Sequence, residues 1–335
     1  MLLSLCIPTH NFGDYITECL DSILPQLNDE IELIILDSAS TDHTKKIVQD
    51  KINKRSNVSY IYHDFKGGID RDMNALINYS SGKYCWLLSA DDVLKKNAIK
   101  KIMKFLKKDY DVILVEHTIC DINMNPLYEY PIFKNINKVT KFNFSLKSDL
   151  NFYIKNARTS EAYFSYLSGP VFKRELWNNS KKFVRKFEGS CWILAANLLS
   201  KFFKINLLYS NENLIFKRGD NDSFSKKGIV NRFSISIINF EKIAKIFFSH
   251  NTSIYNSILK TLRFDWPLLR IIWVKSKSKK TKYDKKLFER CIDLYFADKT
   301  ITNSVLITFY KKLPICVAKF FVMFKPLLAL IKKSN

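Results

Sequence analysis

Glycine and proline are scarce in this chain, with only eight of each among 335 residues. So low a content excludes collagen-like repeats and long flexible linkers, and a hydrophobic fraction of 47% excludes a disordered chain. A chain of this length and composition can bury a substantial core. The composition therefore predicts one large folded domain with a C-terminal extension, or two folded domains.

Cysteine pairs and targeting signals are also lacking. The seven cysteines form no CxxC pair, and the N-terminus shows no basic region followed by a long apolar core and a cleavage site. Scattered cysteines within apolar runs are typical of buried thiols in a reducing compartment, so we expect a cytoplasmic protein. No zinc pattern, P-loop or Ser-His-Asp arrangement occurs, and we interpret the five histidines as turn or surface residues. These are His10, His43, His63, His117 and His250.

Positive charge is concentrated towards the C-terminus. The net charge is +22 for the whole chain, but it sums to −2 over residues 1–120 and to +14 over residues 241–335. A protein coated uniformly with positive charge for nucleic acid would not have a nearly neutral N-terminal half. We therefore expect no nucleic-acid partner, and a catalytic domain joined to a surface that attracts anions.

Apolar runs alternate with helical segments over the first hundred residues. The strand candidates are residues 2–7, 33–36, 58–63 and 84–88, and segments with helical spacing separate them. Strands that alternate with helices predict an α/β fold with a parallel sheet covered by helices on both faces. Ligands bind beyond the carboxyl ends of the strands in such sheets, so the polar residues after each run form the candidate site.

Two adjacent carboxylates, Asp91 and Asp92, follow the fourth apolar run. Burying two like charges together is costly without a cation, so the pair predicts a divalent metal site. Magnesium or manganese, completed by diphosphate oxygens and water, is the expected occupant. The alternative is that the pair only caps a predicted helix over residues 93–107.

Four motifs in fixed order resemble those of family 2 glycosyltransferases. They are IPTHN at 7–11, LDSASTD at 36–42, GGIDRDMN at 67–74 and GKYCWLLSADD at 82–92. The resemblance implies a GT-A, Rossmann-like fold with a mixed, mainly parallel sheet over residues 1–230. Residues 1–120 would then bind the nucleotide sugar, 121–230 the acceptor, and 231–335 would be a helical, basic extension that associates with the membrane.

The resemblance also implies roles for single residues of these motifs. Thr9 and Asp37 would hold the nucleotide base, because a carboxylate accepts a hydrogen bond from a base N–H or amino group. Arg71 would lie near the phosphates as a fixed cation, and Asn11 belongs to the same binding set. The commonest form of the last motif ends in DxDD. In this chain Ser89 takes the place of the first Asp, so only the two terminal carboxylates, Asp91 and Asp92, remain. Of that pair, Asp91 would lie near the ribose and join Asp92 at the metal.

Structural interpretations of the same residues stay open. Thr9 and Asn11 could serve only as caps of a helix near Tyr15. Residues 37–42 could form a turn followed by a helix cap. Arg71 could form only a surface ion pair. As an ordered set over one stretch of chain, however, the four motifs favour the binding site.

A narrower resemblance links this chain to abequosyltransferases of bacterial O-antigen synthesis. It rests on residues 166–168, 173–177 and especially 218–224, with the sequence RGDNDSF. It implies transfer of a 3,6-dideoxyhexose from its CDP-sugar to a lipid-linked oligosaccharide at the cytoplasmic face of the inner membrane. Arg218 would then contact the departing diphosphate, and Asp220 or Asp222 would orient the acceptor hydroxyl or join the metal. The alternative is a polar turn that closes a strand.

The catalytic base is the least determined part of the site. Family 2 enzymes usually invert and take the acceptor proton with an Asp or Glu, often in an ED pair, but this sequence contains no ED pair. Glu188 lies near the expected place and is the first candidate, and Glu161 is the second. Whether the anomeric configuration is inverted or retained therefore stays open.

The C-terminal segment over residues 303–331 mixes aromatic and aliphatic residues with lysines and two prolines. Its apolar runs are far shorter than the roughly 20 residues of a spanning helix, so we expect it to lie on an anionic membrane surface. The alternative is ordinary amphipathic packing on the catalytic domain.

Three other functions compete with transfer of a dideoxyhexose. One is a family 2 transferase that uses a UDP-, dTDP- or GDP-hexose in surface polysaccharide synthesis. A basic nucleic-acid-binding protein and an inactive GT-A scaffold are the others, and the scaffold is suggested by the missing ED pair. The neutral N-terminal half argues against the nucleic-acid-binding protein.

Overall fold

One mixed sheet forms the centre of the N-terminal part of the chain. The computed structural model describes residues 1–52, 55–178, 185–279, 281–297 and 301–323. Within them the chain divides into two compact units, residues 1–221 and 222–335. The strands of the first unit are β1 (Leu3–Thr9), β2 (Ile31–Ser38), β3 (Val58–His63), β4 (Tyr84–Leu87), β5 (Val93–Leu94), β6 (Val112–Cys120), β7 (Pro126–Tyr130), β8 (Thr140–Asn143), β9 (Pro170–Lys173) and β10 (Asn206–Lys217).

The strand order is β3-β2-β1-β4-β9-β6-β10-β5, with β7 beside β6 and β8 beside β10. Strands β1 to β4 pair in parallel with one another, and β6 pairs in parallel with β10. Strand β9 is antiparallel to both β4 and β6 and joins the two parallel groups. The predicted α/β fold of GT-A type is confirmed.

Helices lie between many of the strands of the first unit. They are α1 (Gly13–Ile23), α2 (Thr44–Ile52), α3 (Ile69–Tyr79), α4 (Ala98–Leu106), α5 (Lys147–Asn156), α6 (Arg174–Asn178) and α7 (Ile193–Leu199). Parallel strands need such crossovers, and α1, α2 and α3 supply them after β1, β2 and β3. In α1, Ile16, Leu20 and Ile23 are buried at helical spacing. They pack in one core with apolar residues of β1 and β2.

The start of α4 corrects one prediction. The predicted helix over residues 93–107 begins only at Ala98, because Val93 and Leu94 form β5 and pair with Phe216 and Ile215 of β10. A short strand and a turn therefore separate the Asp91–Asp92 pair from the helix. The alternative in which this pair caps the helix is wrong.

The second unit, residues 222–335, is helical where it is described. Its helices are α8 (Ile229–Ser234), α9 (Phe240–Phe248), α10 (Thr252–Asp265), α11 (Leu268–Lys277), α12 (Lys282–Tyr295), α13 (Ile301–Lys312) and α14 (Ile315–Met323), and a π-helical turn over Ile235–Asn239 links α8 to α9. Its buried centre includes Phe233, whose ring contacts those of Trp266 and Phe288. The predicted helical extension is confirmed.

The described helices are each too short or too polar to cross a bilayer. The predicted membrane-contacting segment over residues 303–331 is described as far as Met323, so residues 324–331, with Lys325 and Pro326, lie outside the described part.

Five of the seven cysteines are buried as predicted. Cys316 is exposed and Cys191 is half-buried, which corrects the prediction for these two.

Candidate active site

The carboxyl ends of β1 and β2 meet at a buried pair of polar residues. Thr9 is the register partner of Asp37. Asp37 accepts hydrogen bonds from the Tyr60 hydroxyl (2.7 Å) and from the backbone N–H of Ser40 (2.9 Å). Burial and the neighbouring Asp37 carboxylate raise the pKa of Tyr60, which keeps its hydroxyl a donor.

The Thr9 hydroxyl is the second buried polar group at this edge. Thr9 is buried, and its Oγ1 has no hydrogen-bond partner among the described residues. A buried polar atom without a partner is costly and needs an explanation, which a bound nucleotide would supply. The role of Thr9 and Asp37 in holding the nucleotide base stays a prediction.

Asn11 connects the end of β1 to the loop after β2. It has a left-handed φ of 58°, a conformation that Asn tolerates better than most residues. Its Oδ1 accepts from the backbone N–H of Thr41 (2.8 Å), and its own N–H donates to Ser40 Oγ (2.8 Å). The residue before α1 is Phe12, and the helix has no side-chain cap there, so the alternative in which Thr9 or Asn11 caps it is wrong.

Asp91 and Asp92 form a buried carboxylate pair whose oxygens are held by other side chains. Asp92 Oδ2 accepts from the Tyr166 hydroxyl (2.5 Å) and from Ser168 Oγ (2.7 Å). Asp91 accepts from Ser89 Oγ at Oδ1 and from Asn221 Nδ2 (2.8 Å) at Oδ2. Burial, and then the charge of Asp91, raise the pKa of Asp92 to about 7. The pair therefore carries an electrostatic strain that a cation would relieve.

This donor set fits magnesium or manganese. Both ions keep water and phosphate oxygens as ligands, so the protein needs to supply only one or two carboxylates. Within the described ranges, no group of three or more His, Cys, Asp or Glu side chains could hold a metal. Asp91 and Asp92 are the residues that would hold the ion, and Ser89 orients Asp91 instead of adding a third carboxylate.

The guanidinium of Arg218 donates its hydrogen bonds to other groups of this chain. Its side chain is 2% exposed, and its Nη2 donates to Glu18 Oε2 (2.6 Å). Its Nε donates to the backbone carbonyl of Asp91 (3.2 Å) and its Nη1 to that of Ile122 (2.5 Å). The guanidinium also lies over the Tyr15 ring at 4.9 Å. This arrangement does not support the predicted contact with a diphosphate; it makes Arg218 a support for the backbone at Asp91.

Arg71 and Glu188 lie close together in the structure although they are far apart in the sequence. Arg71 Nε lies 4.0 Å from Glu188 Oε2, with side chains that are 66% and 39% exposed. An ion pair this open to solvent contributes little stability. Both charges are therefore accessible to a substrate.

Glu161, the second candidate base, belongs to a buried cluster. Its Oε1 lies 3.4 Å from Lys217 Nζ, and its Oε2 lies 3.4 Å from His117 Nδ1. Lys217 Nζ lies 4.1 Å from the centre of the Tyr166 ring, whose hydroxyl donates to Asp92. The interpretation of His117 as a turn or surface histidine is wrong, because His117 is buried in β6. Burial, and then the charge of Lys217, lower the pKa of His117 well below its usual value.

The motif at 218–224 contributes to the site through a residue without a predicted role. Asn221 donates to Asp91, as described above. Asp220 is exposed and has a left-handed φ of 57°. Asp222 accepts from the backbone N–H of Phe224 (3.0 Å) and from Arg232 Nε (2.5 Å), so it caps the turn over Ser223–Lys227. The alternative, a polar turn that closes a strand, therefore describes Asp222 in this structure.

Several residues that support the site were given no role by the sequence. Tyr166 and Ser168 hold Asp92, Tyr60 holds Asp37, and Asp70 of α3 accepts from the backbone of the loop after Glu188. Tyr166 and Ser168 could have been found from the sequence, because residues 166–168 belong to the narrower resemblance to abequosyltransferases.

Comparisons with known proteins agree with this fold. The model of glycosyl transferase family 2 matches residues 4–174. The abequosyltransferase RfbV of Salmonella typhimurium is 32% identical over 279 residues, which cover 80% of this chain and 82% of that protein.

Solved structures show the same fold at lower identity. A fragment of TarS from S. aureus has a TM-score of 0.63 at 15% identity and covers 96% of this chain and 90% of its own. The mannosyltransferase PcManGT from Pyrobaculum calidifontis, solved with GDP-Man and Mn²⁺, has a TM-score of 0.52 at 12% identity, with coverages of 96% and 84%. The chain belongs to glycosyl transferase family 2, and it is a glycosyltransferase with a GT-A fold.

Proposed function

We propose that this enzyme transfers abequose, or a related 3,6-dideoxyhexose, from a CDP-sugar to a lipid-linked O-antigen oligosaccharide. The observation that carries the proposal is the similarity to the abequosyltransferase RfbV over 80% of the chain. That similarity is longer than the 4–174 range of the family model, so it includes part of the chain in which acceptor contacts are expected.

The nucleotide would bind at the carboxyl ends of β1 and β2. The Thr9 hydroxyl is free to hydrogen-bond, and Asp37 can accept from the amino group of cytosine. Asp37 can equally accept from the imide N–H of uracil, so a UDP-, dTDP- or GDP-hexose is the alternative donor class. Asn11 would hold the loop after β2 around the nucleotide.

The phosphates would lie between the carboxylate pair and Arg71. A magnesium or manganese ion held by Asp91 and Asp92 would neutralise the charge that develops on the leaving diphosphate. Tyr166 and Ser168 would keep Asp92 oriented towards it, and Ser89 and Asn221 would do the same for Asp91. Arg71 would supply a further positive charge from α3.

Glu188 would act as the general base. Its carboxylate would take the proton of the acceptor hydroxyl while that oxygen bonds to the anomeric carbon and the bond to CDP breaks. Such a displacement inverts the anomeric configuration. Glu161 is the second candidate, and Asp220 would orient the acceptor hydroxyl.

The acceptor would be reached from an anionic membrane surface, at the cytoplasmic face of the inner membrane. Helix α14 exposes Phe321 and Met323 beside Lys319, and α13 ends with Lys311 and Lys312. Apolar side chains bordered by lysines suit a surface of anionic lipid, where each lysine adds about 1 kcal/mol. Residues 231–335 would thus bring the catalytic unit to its lipid-linked substrate.

A transfer assay tests the proposal. Purified enzyme and Mn²⁺ are incubated with membranes that contain the lipid-linked oligosaccharide and with CDP-abequose, and the labelled lipid product is measured. We expect product from CDP-abequose and much less from UDP-, dTDP- or GDP-hexoses. Product from one of those hexoses instead would assign the enzyme to the alternative class, and no product from any donor would favour an inactive scaffold.

A further inference from the structure

One buried carboxylate ties the first turn of α3 to the loop that precedes α7. Asp70 Oδ2 accepts from the backbone N–H of Cys191 (2.8 Å), and its Oδ1 accepts from that of Ile193 (3.1 Å). Hydrogen bonds to a charged acceptor are the strong ones, so Asp70 determines the path of this loop.

The loop needs such a support. Gly189 and Cys191 both have left-handed φ values, of 80° and 67°. A cysteine in this conformation is strained and persists only where the surroundings fix it. Asp70, buried on α3, provides these surroundings because its two oxygens accept from the amide of Cys191 itself and from that of Ile193.

The same contact controls where two charged residues of the site meet. Glu188 directly precedes the loop that Asp70 holds, and Arg71 follows Asp70 in α3. Their side chains lie 4.0 Å apart. A shift of the loop relative to α3 would therefore move Glu188 away from Arg71.

We infer that Asp70 is a positioning residue for the transfer step: it holds Glu188 in place beside Arg71 without contacting the substrate itself. This inference rests on the proposed function, in which Glu188 takes the acceptor proton. A misplacement of about 1 Å can cost about 100-fold in rate. Donor binding should be spared, because no hydrogen bond among the described residues joins the loop to Thr9, Asp37 or the Asp91–Asp92 pair. Arg71, the remaining donor-binding residue, lies in α3 and not in the loop.

The test is the substitution Asp70→Asn, which keeps the size of the side chain but turns an NH₂ group towards backbone donors. We expect kcat for transfer to fall at least about tenfold, with the Kd for CDP in Mn²⁺ changed by less than about threefold. The matched control is Asp149→Asn in α5, where a carboxylate accepts from the backbone N–H of Asn143 (2.8 Å). The control should leave both quantities unchanged.

A double-mutant cycle separates positioning from a general loss of structure. In a Glu188→Gln background, Asp70→Asn should lower kcat by less than about twofold, because the group it positions is already gone. Equal losses in both backgrounds, a wild-type kcat, or a Kd that weakens in parallel would each overturn the inference.

Two further results distinguish failure of this inference from misfolding of the variant and from failure of the proposed function. If Asp70→Asn does not fold, Asp70→Glu retains the buried charge and displaces the loop by one methylene, and the same loss of kcat at constant Kd is expected. A wild-type kcat for Asp70→Glu would overturn the inference. A wild-type enzyme that transfers no sugar would contradict the proposed function, whereas additive losses in an active enzyme contradict only the role of Asp70.

Discussion

At the scale of single residues, the site depends on how the chain holds two adjacent negative charges. Burial and Asp91 raise the pKa of Asp92 to about 7, although Tyr166 and Ser168 donate to it. An aspartate in an unfolded chain titrates near pH 4, about three units lower. Ionising Asp92 in the metal-free protein therefore costs stability, and the cost grows as the pH rises from about 4 to about 7.

This electrostatic cost gives a prediction for Asp92→Asn. Without metal, the free energy of unfolding of the wild type should decrease between pH 5 and pH 7, by on the order of 1 kcal/mol per pH unit from this group. The Asn variant has no carboxylate to ionise at this position, so this decrease in the free energy of unfolding should be missing from it. Its stability relative to the wild type should therefore increase from pH 5 to pH 7. Chemical denaturation of both proteins with EDTA at several pH values measures it. A constant difference between the two proteins across this range would contradict the assignment.

The hydroxyl of Tyr166 gives a second prediction. The substitution Tyr166→Phe keeps the ring beside His117 and Lys217 but removes the donor to Asp92. We expect the Mn²⁺-dependent affinity for CDP to fall about tenfold, as is typical when a partner of a metal ligand is lost. Calorimetry of the variant measures this affinity.

The matched control is Tyr209→Phe, because Tyr209 donates to the buried Glu116 in the same unit. It should lower stability by about 1 kcal/mol and leave the affinity for CDP unchanged. Equal losses of affinity in both variants would mean that Tyr166 acts only through stability.

The residues of this site differ in how far the sequence could predict them. Asp91 and Asp92 were predictable because they are neighbours in the chain and lie in a recognisable motif. Tyr166, Ser168 and Asn221 contact them across 74 or more positions, so only the folded sheet brings these groups together. A sequence also does not show which donors of an arginine are already satisfied, and for that reason the predicted role of Arg218 was not supported.

At the scale of elements, continuous apolar runs made β1, β2 and β4 predictable, because strands buried on both faces show little alternation. The start of α4 was not predictable in the same way. Val93 and Leu94 are compatible with a helix, but pairing with β10 makes them a strand. Long-range pairing overrode local propensity at this point.

Helix α14 gives the prediction that belongs to this scale. Replacing the exposed Phe321 and Met323 by Ala should weaken binding to vesicles with anionic lipid several-fold, because less apolar surface enters the interface. Vesicle co-sedimentation measures the effect, which should be stronger at low salt. The control Leu127→Ala removes an exposed apolar side chain from β7 of the other unit and should change nothing. Unchanged binding of the double variant would favour simple packing of this helix.

At the scale of the whole molecule, charge and chemistry are unequally distributed along the chain. The motifs that resemble family 2 lie in the first 120 residues, which have a net charge of −2, whereas residues 241–335 carry +14. The first unit contains the sheet and the carboxylate pair, and the second is helical and basic where it is described. This division agrees with a nucleotide-sugar site in one unit and attraction to anionic partners in the other.

Calorimetric titration with CDP and with UDP, each with and without Mn²⁺, tests the central proposal most directly. We predict that CDP binds only in the presence of Mn²⁺, that it binds more tightly than UDP, and that Asp92→Asn abolishes this binding. Stronger binding of UDP would contradict the CDP-sugar donor and leave the site intact. Binding that ignores both Mn²⁺ and the substitution of Asp92 would contradict the metal site itself.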